Sequence, residues 1–196
     1  MLSGFGGVGG LTTPLYGEEP TPRSVTSYDA GACETKLGRV KAFASVKEAV
    51  RSQVIYFTED EINSWLALRF KSRAHPSLKD LTVSLEDGQA LVTAGIDFDR
   101  LRDDSETFLP KLIALMFSGV HTITAHGKII SGKGQGMFEV DKARFDDIAI
   151  PAYLMNGILS AVGLRQNPPV DPSNLSPLPF SLEHIDVRKG SLLTYQ

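Results

Sequence analysis

Residues 120–150 read VHTITAHGKIISGKGQGMFEVDKARFDDIAI, and this stretch decides the fold. Apolar and polar residues alternate on both sides of a glycine-rich centre that contains Gly132 and Gly134. Alternation with a period of two is typical of a strand with one buried face, and a short link containing glycine joins antiparallel strands. The alternation slips around Lys142-Ala143, which suggests a β-bulge. The stretch therefore predicts two long antiparallel strands.

The centre of this stretch, GKIISGKG at residues 127–134, contains most of a phosphate-binding loop. Such a loop requires serine or threonine after its lysine, to reach Mg²⁺, and it lies between a strand and a helix. Here Gly134 follows Lys133, and the next residues alternate as a strand does. We therefore interpret the glycines as a turn between two strands, and we predict that the protein does not bind ATP.

Two further hairpins are predicted on either side of the long strands. The sequence LTVSL-EDGQ-ALVTAGIDF predicts strands near residues 80–86 and 90–99, joined at Asp87-Gly88, a pair that suits a type I′ turn. Near the end, SLEHIDV and SLLTY are joined at Lys189-Gly190. Hairpins thus connect the strands, and this pattern favours an antiparallel sheet.

Helical spacing of apolar residues predicts two helices in the first part of the chain. The first spans residues 33–52. The second begins with a capping box formed by Thr58 and Glu61, and it ends at His75-Pro76.

Two more helices follow the first hairpin. The segment 105–118 is apolar almost all round, so it must be covered on more than one side. Pro151 occupies a first helical position, and the helix that it starts stops near Gly163. The order of elements predicts an α+β fold in which a strongly curved antiparallel sheet wraps helices.

Length and composition indicate one globular domain. The chain has 196 residues, 42% of them hydrophobic, and a net charge of −3, which argues against a nucleic-acid partner. Its single cysteine allows no intrachain disulfide, and no apolar run is long enough to span a membrane. Residues 1–30, rich in Gly, Pro, Ser and Thr and without the features of a secretion signal, are expected to be a flexible leader before a domain at 31–196.

The polar residues predict no catalytic, metal or cofactor site. His121 and His126 are five residues apart on one strand, so they should lie on opposite faces of the sheet. The acidic run that begins at Asp97 lacks the glycine and the closing glutamate of a calcium loop, with Arg102 and Phe108 in those places. We therefore expect a protein that is not an enzyme and that has no cofactor.

The wide apolar faces of three helices allow two interpretations. Their side chains fill the core, or they line an apolar groove between helices and sheet that binds a hydrophobic ligand. The candidate ligand-binding residues are Trp65, Leu66, Leu112, Ile113, Met116, Tyr153, Leu154 and Ile158.

Four segments together resemble a known family. They are FTEDEINSWLALRF, VSLEDGQALVTAGIDFDRL, GKIISGKGQGMFEVDKARFDDIAIPAYLMNGIL and LPFSLEHIDVRKGSLLTY. Over roughly residues 35–195, their order and patterning resemble bacterial envelope proteins with a TULIP-like (tubular lipid-binding) fold. The resemblance implies a half-barrel in which a curved sheet wraps a long apolar helix around a lipid-sized cavity. It also implies an extracytoplasmic, cell-envelope location, with a lipid or other apolar small molecule, and the membrane surface, as partners.

Two functional hypotheses follow. The first is a non-enzymatic carrier of a lipid or other hydrophobic ligand. The second is a structural or accessory envelope protein whose core is fully packed and which binds a protein partner. An empty or lipid-filled tunnel would distinguish the first from the second.

Overall fold

A computed structural model of the chain describes residues 24–45, 52–74, 76–103, 118–163, 171 and 173–196. The helices are α1 (Ser27–Ala44), α2 (Glu59–Trp65), α3 (Phe98–Asp103) and α4 (Ala152–Gly163), with a π-helical turn at Leu66–Phe70 and a 3-10 turn at Pro179–Ser181. The strands are β1 (Val54–Thr58), β2 (Leu78–Glu86), β3 (Gln89–Asp97), β4 (Val120–Gly132), β5 (Gln135–Phe145), β6 (Ile148–Ile150), β7 (Ser176–Pro177), β8 (His184–Arg188) and β9 (Ser191–Tyr195).

The strands form two antiparallel sheets. The large sheet has the order β2-β3-β4-β5-β6, and β7 pairs with β5. The small sheet has the order β1-β9-β8. The longest strands are β4 and β5, with 13 and 11 residues. In this order β4 is the central strand of the large sheet and β5 is its neighbour. The predicted α+β class with long antiparallel strands is confirmed.

The turn between β4 and β5 is the one that the glycines predicted. Gly132 pairs with Gln135, and the two residues between them have positive φ, 53° at Lys133 and 75° at Gly134. Two positive φ values define a type I′ turn, whose twist matches that of the flanking strands. A strand, and not a helix, follows the lysine, so the structural context of a phosphate-binding loop is missing.

The predicted bulge is present one residue earlier than expected. His126 pairs with Lys142 and Gly127 pairs with Val140, so Asp141 is the extra residue in β5. A Cβ atom on Gly127 would lie 2.3 Å from the carbonyl oxygen of Glu139, which leaves room for glycine alone. The Nδ1 atom of His126 lies 2.6 Å from Oδ1 of Asp141, so this pair bridges the bulge.

The turn between β2 and β3 differs from the prediction. Gly88 has a φ of 70°, but Asp87 does not have positive φ, so the turn is not type I′. Contacts with β8 account for the difference. Gly88 N donates to Val187 O at 2.9 Å, and Lys189 N donates to Asp87 Oδ1 at 3.0 Å. The tip of this hairpin is thus shaped by the strand that it meets.

Helix α1 begins earlier than the sequence predicted. The Thr26 side chain accepts a hydrogen bond from Asp29 N at 3.0 Å and caps the helix. Residues 27–30, which the sequence placed in the leader, therefore belong to α1, and Ala30 is fully buried. The helix ends at Ala44, short of the predicted end. The rest of the expected leader, residues 1–23, lies outside the described residues.

The other helices follow their predicted starts. Glu61 N donates to Thr58 Oγ1 at 3.1 Å and Thr58 N donates to Glu61 Oε2 at 2.9 Å, so the capping box of α2 is confirmed. Helix α4 begins directly after Pro151, as predicted. The apolar helix expected at 105–118 falls almost wholly outside the described residues. No helix in the described part of the chain is long and apolar enough to cross a membrane.

The small sheet contains one strand that the sequence did not predict. The hairpin of β8 and β9 is confirmed, but β9 also pairs along its whole length with β1. Ile55 and Phe57 of β1 are buried against α1, in a core cluster with Cys33 and Val40. A second cluster, built on Leu85, Ala90 and Val187, joins the two sheets.

Candidate functional site

Two rows of apolar side chains cross the same face of the large sheet. Directly paired residues of neighbouring strands project to the same side, so the register assigns each row to one face. We call these ten residues the apolar face: Leu81, Ala94, Ile123, Phe145 and Ile148 in one row, and Val83, Val92, Ala125, Ala143 and Ile150 in the next. The opposite face carries a polar row of Thr82, Thr93, Thr124 and Arg144.

The apolar face is unequally covered. Ala125 and Ala143 are buried. Leu81, Val92 and Ala94, on β2 and β3, are half-buried, as are Ile123, Phe145 and Ile150, and Ile148 is 68% exposed. A hydrophobic ligand binds by removing apolar surface from water, so it needs apolar side chains that the protein itself leaves partly exposed. The β2–β3 half of the apolar face, which lies away from Met155, is therefore one part that offers binding surface, and we call it the accessible half.

Helix α4 covers part of the other half of the apolar face, above Ala125 and Ala143. Met155 is 1% exposed and packs in a cluster with Ala125, Ala143 and Val140. The two alanines leave space for its long side chain, since small residues opposite a large one let layers interdigitate. Asn156, the next residue, has a buried Oδ1 atom without a hydrogen-bond partner among the described residues. Helix α4 thus forms one border of the accessible half.

Helix α2 forms the opposite border, and two of its polar side chains attach it to the free edge of β2. Asn63 Nδ2 donates to Val83 O and Val83 N donates to Asn63 Oδ1, both at 2.8 Å. Leu85 N donates to Oε2 of Glu59. Glu59 and Asn63 are four residues apart and so share one side of the helix. These side chains occupy the hydrogen-bonding positions that another strand would use.

Trp65 and Leu66 lie at the end of α2 and are half-buried. The Trp65 ring packs against the cluster that contains Cys33 and Phe57, with its centroid 5.6 Å from that of Phe70. Its Nε1 atom is buried and has no hydrogen-bond partner among the described residues. Ile62, one turn earlier, packs against this cluster and also against the cluster that joins the sheets. The end of α2 thus lies where the helical core meets the large sheet.

The remaining predicted ligand-binding residues are not brought together with Trp65 in the described structure. Tyr153 and Leu154 are on α4 and are 70% and 48% exposed, while the adjacent Met155 faces the sheet. Leu112, Ile113 and Met116 lie outside the described residues, as does the side chain of Ile158. Trp65 and Met155 belong to different clusters, on opposite borders of the apolar face.

Two open depressions lie away from the apolar face. One, of about 410 Å³, is lined by Thr122, Thr124, Arg144, Asp146 and Asp147. Its threonines belong to the polar side of the large sheet. The other, of about 570 Å³, lies between the β4–β5 turn and the segment before β8, and its lining combines polar side chains, Lys133 and Glu183 among them, with Leu178 and Leu182. The first depression thus has a polar lining and the second a mixed one, and charged side chains border both.

The histidines of β4 are paired with carboxylates. His121 Nδ1 lies 2.7 Å from Asp146 Oδ2, and this hydrogen bond lowers the pKa of Asp146 below its usual value. His121 stacks on Phe145 on the apolar side, whereas His126 faces the polar side, so the two lie on opposite faces as predicted. Within the described ranges, no three His, Cys, Asp or Glu side chains are grouped so that they could hold a metal ion.

Burial leaves the single cysteine unreactive. Cys33 is 3% exposed within the first core cluster, and burial is the main reason that its pKa is raised to about 12. A thiol with so high a pKa stays protonated at neutral pH and is a poor nucleophile. Cys33 therefore serves the packing of α1.

Comparison of the chain with protein-family models, with curated proteins and with solved structures found no match. The features that bear on its function are therefore the partly exposed apolar face of the large sheet and the two helices that border it. Sequence reasoning missed the attachment of α2 to β2. The sequence does contain a signal for this attachment. Glu59 and Asn63 are four residues apart, so both lie on one side of the helix, and polar residues on a side that packs against a sheet need partners there.

Proposed function

We propose that the protein binds a lipid or another hydrophobic ligand on the accessible half of the apolar face, between α2 and α4, without catalysing a reaction. The observation that carries this proposal is the uneven cover of the apolar face. Ala125 and Ala143 are buried beneath Met155, while Leu81, Val92 and Ala94 on the β2–β3 side are half-buried. A ligand that completes this cover removes apolar surface from water.

The free energy required is modest. An acyl chain gains about 0.8 kcal/mol for each methylene that it buries, so about ten methylenes supply about 8 kcal/mol. That free energy corresponds to a micromolar Kd, before the cost of ordering the chain is subtracted. A site that buries about ten methylenes would therefore bind its ligand reversibly, as a carrier requires.

The proposal extends to the shape of the site. In a TULIP-like half-barrel the large sheet curves around the apolar helix expected at 105–118, and the ligand lies between them. Trp65 and Leu66 then border the ligand from α2, and Leu154 and Ile158 border it from α4. The other residues proposed to contact the ligand are Leu112, Ile113, Met116 and Tyr153.

The test compares two neighbouring residues on opposite faces of β3. Ala94→Trp fills the accessible half of the apolar face, and Thr93→Trp places the same ring on the polar face. We expect Ala94→Trp to weaken binding of a fluorescent fatty acid by about tenfold or more, and Thr93→Trp to change it less than about twofold, because only the first removes ligand volume. Titration of each variant, with circular dichroism as a check of folding, measures this.

Native mass spectrometry of the purified protein provides a second readout, since a retained mass of acyl-chain size identifies a bound lipid. A ligand-free spectrum, no fatty-acid binding by the wild-type protein, and a loss of about 1–3 kcal/mol of stability in Ala94→Trp would together reject the carrier proposal. That loss is the cost of overpacking a core that is already full.

A membrane surface is part of the proposal. Ile148 lies on β6, Tyr153 and Leu154 follow in the first turn of α4, and the three are 68%, 70% and 48% exposed. A tyrosine beside aliphatic side chains suits the boundary between lipid and water. We propose that this patch contacts the membrane of the cell envelope, where the ligand is loaded. Leu154→Glu should reduce co-sedimentation with anionic vesicles, whereas Leu175→Glu, at another exposed position, should not.

A protein partner in the envelope is the second candidate function, favoured by the free edge of β1. Gln53 and Gln196 exchange backbone hydrogen bonds, and alternation along β1 then turns the N–H and C=O groups of Val54 and Tyr56 away from β9. No described residue bonds to these groups, and both side chains are about half exposed. Such an edge can accept a strand from another protein. Rejection of the carrier proposal by the measurements above would leave this candidate.

A further inference from the structure

The outer edge of β1 carries backbone groups that no described strand pairs with. Strand β1 lies at one end of the small sheet, in the order β1-β9-β8. Ile55 turns its N–H and C=O groups toward β9, so those of Val54 and Tyr56 point outward. Farther along the strand, Thr58 N donates to Glu61 Oε2 at 2.9 Å, which ends the free part of the edge. The free edge therefore offers the donors and acceptors of two residues.

This edge lacks the features that usually prevent strand pairing between molecules. Exposed edge strands of soluble proteins commonly carry a charged residue, a proline or a bulge. The sequence SQVIYFT at 52–58 contains no charged residue and no proline, and β1 pairs with β9 without a break in register. Val54 and Tyr56 are 53% and 50% exposed, and their partners Tyr195 and Leu193, on the same face, are half-buried. An uncharged, partly apolar strip thus runs along the edge.

The free groups are placed so that the edge is complementary to itself. Two copies related by a two-fold axis at Ile55 pair antiparallel, with Val54 of each copy opposite Tyr56 of the other. Directly opposed residues whose backbone groups face each other exchange both of their N–H···O bonds. This register therefore uses every free group of the edge in both copies. A β-branched residue opposite an aromatic one is also a favourable cross-strand pair.

We propose that the protein forms a symmetric dimer in which β1 pairs with β1 of a second copy. The two small sheets then form one continuous sheet in the order β8-β9-β1-β1-β9-β8. The same register places Gln53 opposite Phe57 and Ser52 opposite Thr58, so no like charges meet across the axis. A net charge of −3 adds little long-range repulsion between copies. The dimer does not depend on ligand binding, because the apolar face belongs to the large sheet.

The wild-type protein provides the first test, since the dimer should dissociate on dilution. We expect the amides of Val54 and Tyr56 to exchange hydrogen at least about fivefold more slowly when the protein concentration is raised about a hundredfold, because they are bonded only in the dimer. The amide of Ile55, which is bonded to β9 in either state, should change less than about twofold. Sedimentation at the same concentrations should show the mass rising from 21.3 kDa toward twice that value.

A charge placed in the pairing site provides the second test. Val54→Lys should weaken dimerisation by about tenfold or more, and Val120→Lys should change it less than about twofold. Val120 is a matched control, because it is also an exposed strand valine, 58% exposed, but it lies in the large sheet. Adding Tyr56→Glu to Val54→Lys should restore part of the lost affinity, since opposite charges then face each other across the axis. Circular dichroism checks that each variant folds.

A concentration-dependent dimer with slowed exchange at Val54 and Tyr56 supports the inference. A protein that stays monomeric at every concentration overturns it and leaves the β1 edge to a strand from another protein. A dimer without slowed exchange at these two amides, or equal effects of Val54→Lys and Val120→Lys, also overturns it, because the contact then lies elsewhere. Binding of the fluorescent fatty acid is a separate measurement, so none of these results decides the proposed function.

Discussion

Replacing Asn63 with alanine is expected to lower the free energy of unfolding by about 2–3 kcal/mol, since each lost hydrogen bond contributes about 1 kcal/mol net. Asn63 makes three bonds: Nδ2 donates to Glu59 O at 3.0 Å and to Val83 O at 2.8 Å, and Oδ1 accepts from Val83 N at 2.8 Å. The side chain is 5% exposed, so water cannot easily replace it. For a protein of this size the loss corresponds to a fall in Tm of about 4–12 °C.

Urea denaturation followed by circular dichroism measures this change. Asp60→Ala, an exposed substitution in the same helix, is the control, and it should cost less than about 1 kcal/mol. Hydrogen exchange adds a local readout, because the amide of Val83 should exchange faster in Asn63→Ala when α2 separates from the β2 edge. An Asn63→Ala protein as stable as Asp60→Ala, with unchanged exchange at Val83, would refute the role assigned to Asn63.

Three further predictions concern the turn, the bulge and an acidic loop. Calorimetry should detect no micromolar ATP binding, because Lys133 lies in a type I′ turn between strands; binding that disappears in Lys133→Ala would contradict this. Gly127→Ala should cost about 2 kcal/mol or more in denaturant unfolding, since its Cβ would lie 2.3 Å from a backbone oxygen. Gly132→Ala meets no atom within 4 Å and should cost less than about 1 kcal/mol, and equal costs at the two sites would refute the steric argument. Hydrogen bonds, first from Asn174 and then from Ser173, lower the pKa of Asp171 from 3.8 to about 2, so its contribution to stability is present above pH 3.8 and is lost as the pH falls toward 2. Asp171→Asn should flatten the stability profile in that window, and an unchanged profile would argue against these bonds.

The parts of the fold that short sequence patterns specify were predictable. The capping box of Thr58 and Glu61 and the turn at Lys133-Gly134 each depend on residues within four positions of one another. The β-bulge was visible as a break in alternation, which is also a local property. These features follow from backbone geometry, so a single sequence carries enough information to place them.

The parts that depend on distant partners were not predictable. Nothing in VIYFT indicates that β1 pairs with β9, because any strand edge presents the same backbone groups. Likewise, Asn63 was visible as a polar residue on a helix, but its partner on β2 was not. The sequence analysis named Leu154 as a candidate ligand-binding residue, and the adjacent Met155 is apolar as well. Which of them faces the sheet is decided by the space above Ala125 and Ala143, a property of the assembled structure.

The position of β9 between β1 and β8 affects the protein during its synthesis. About 130 residues separate Thr58 from Ser191, its partner in the small sheet. A ribosome adds roughly 5–20 residues per second, so β1 waits for its partner for roughly 7–26 s. Throughout that time β1 can pack on α1, which precedes it, but the backbone groups that will pair with β9 remain available to other nascent chains and to chaperones. The yield of folded protein should therefore depend on chaperone supply more than its final stability suggests.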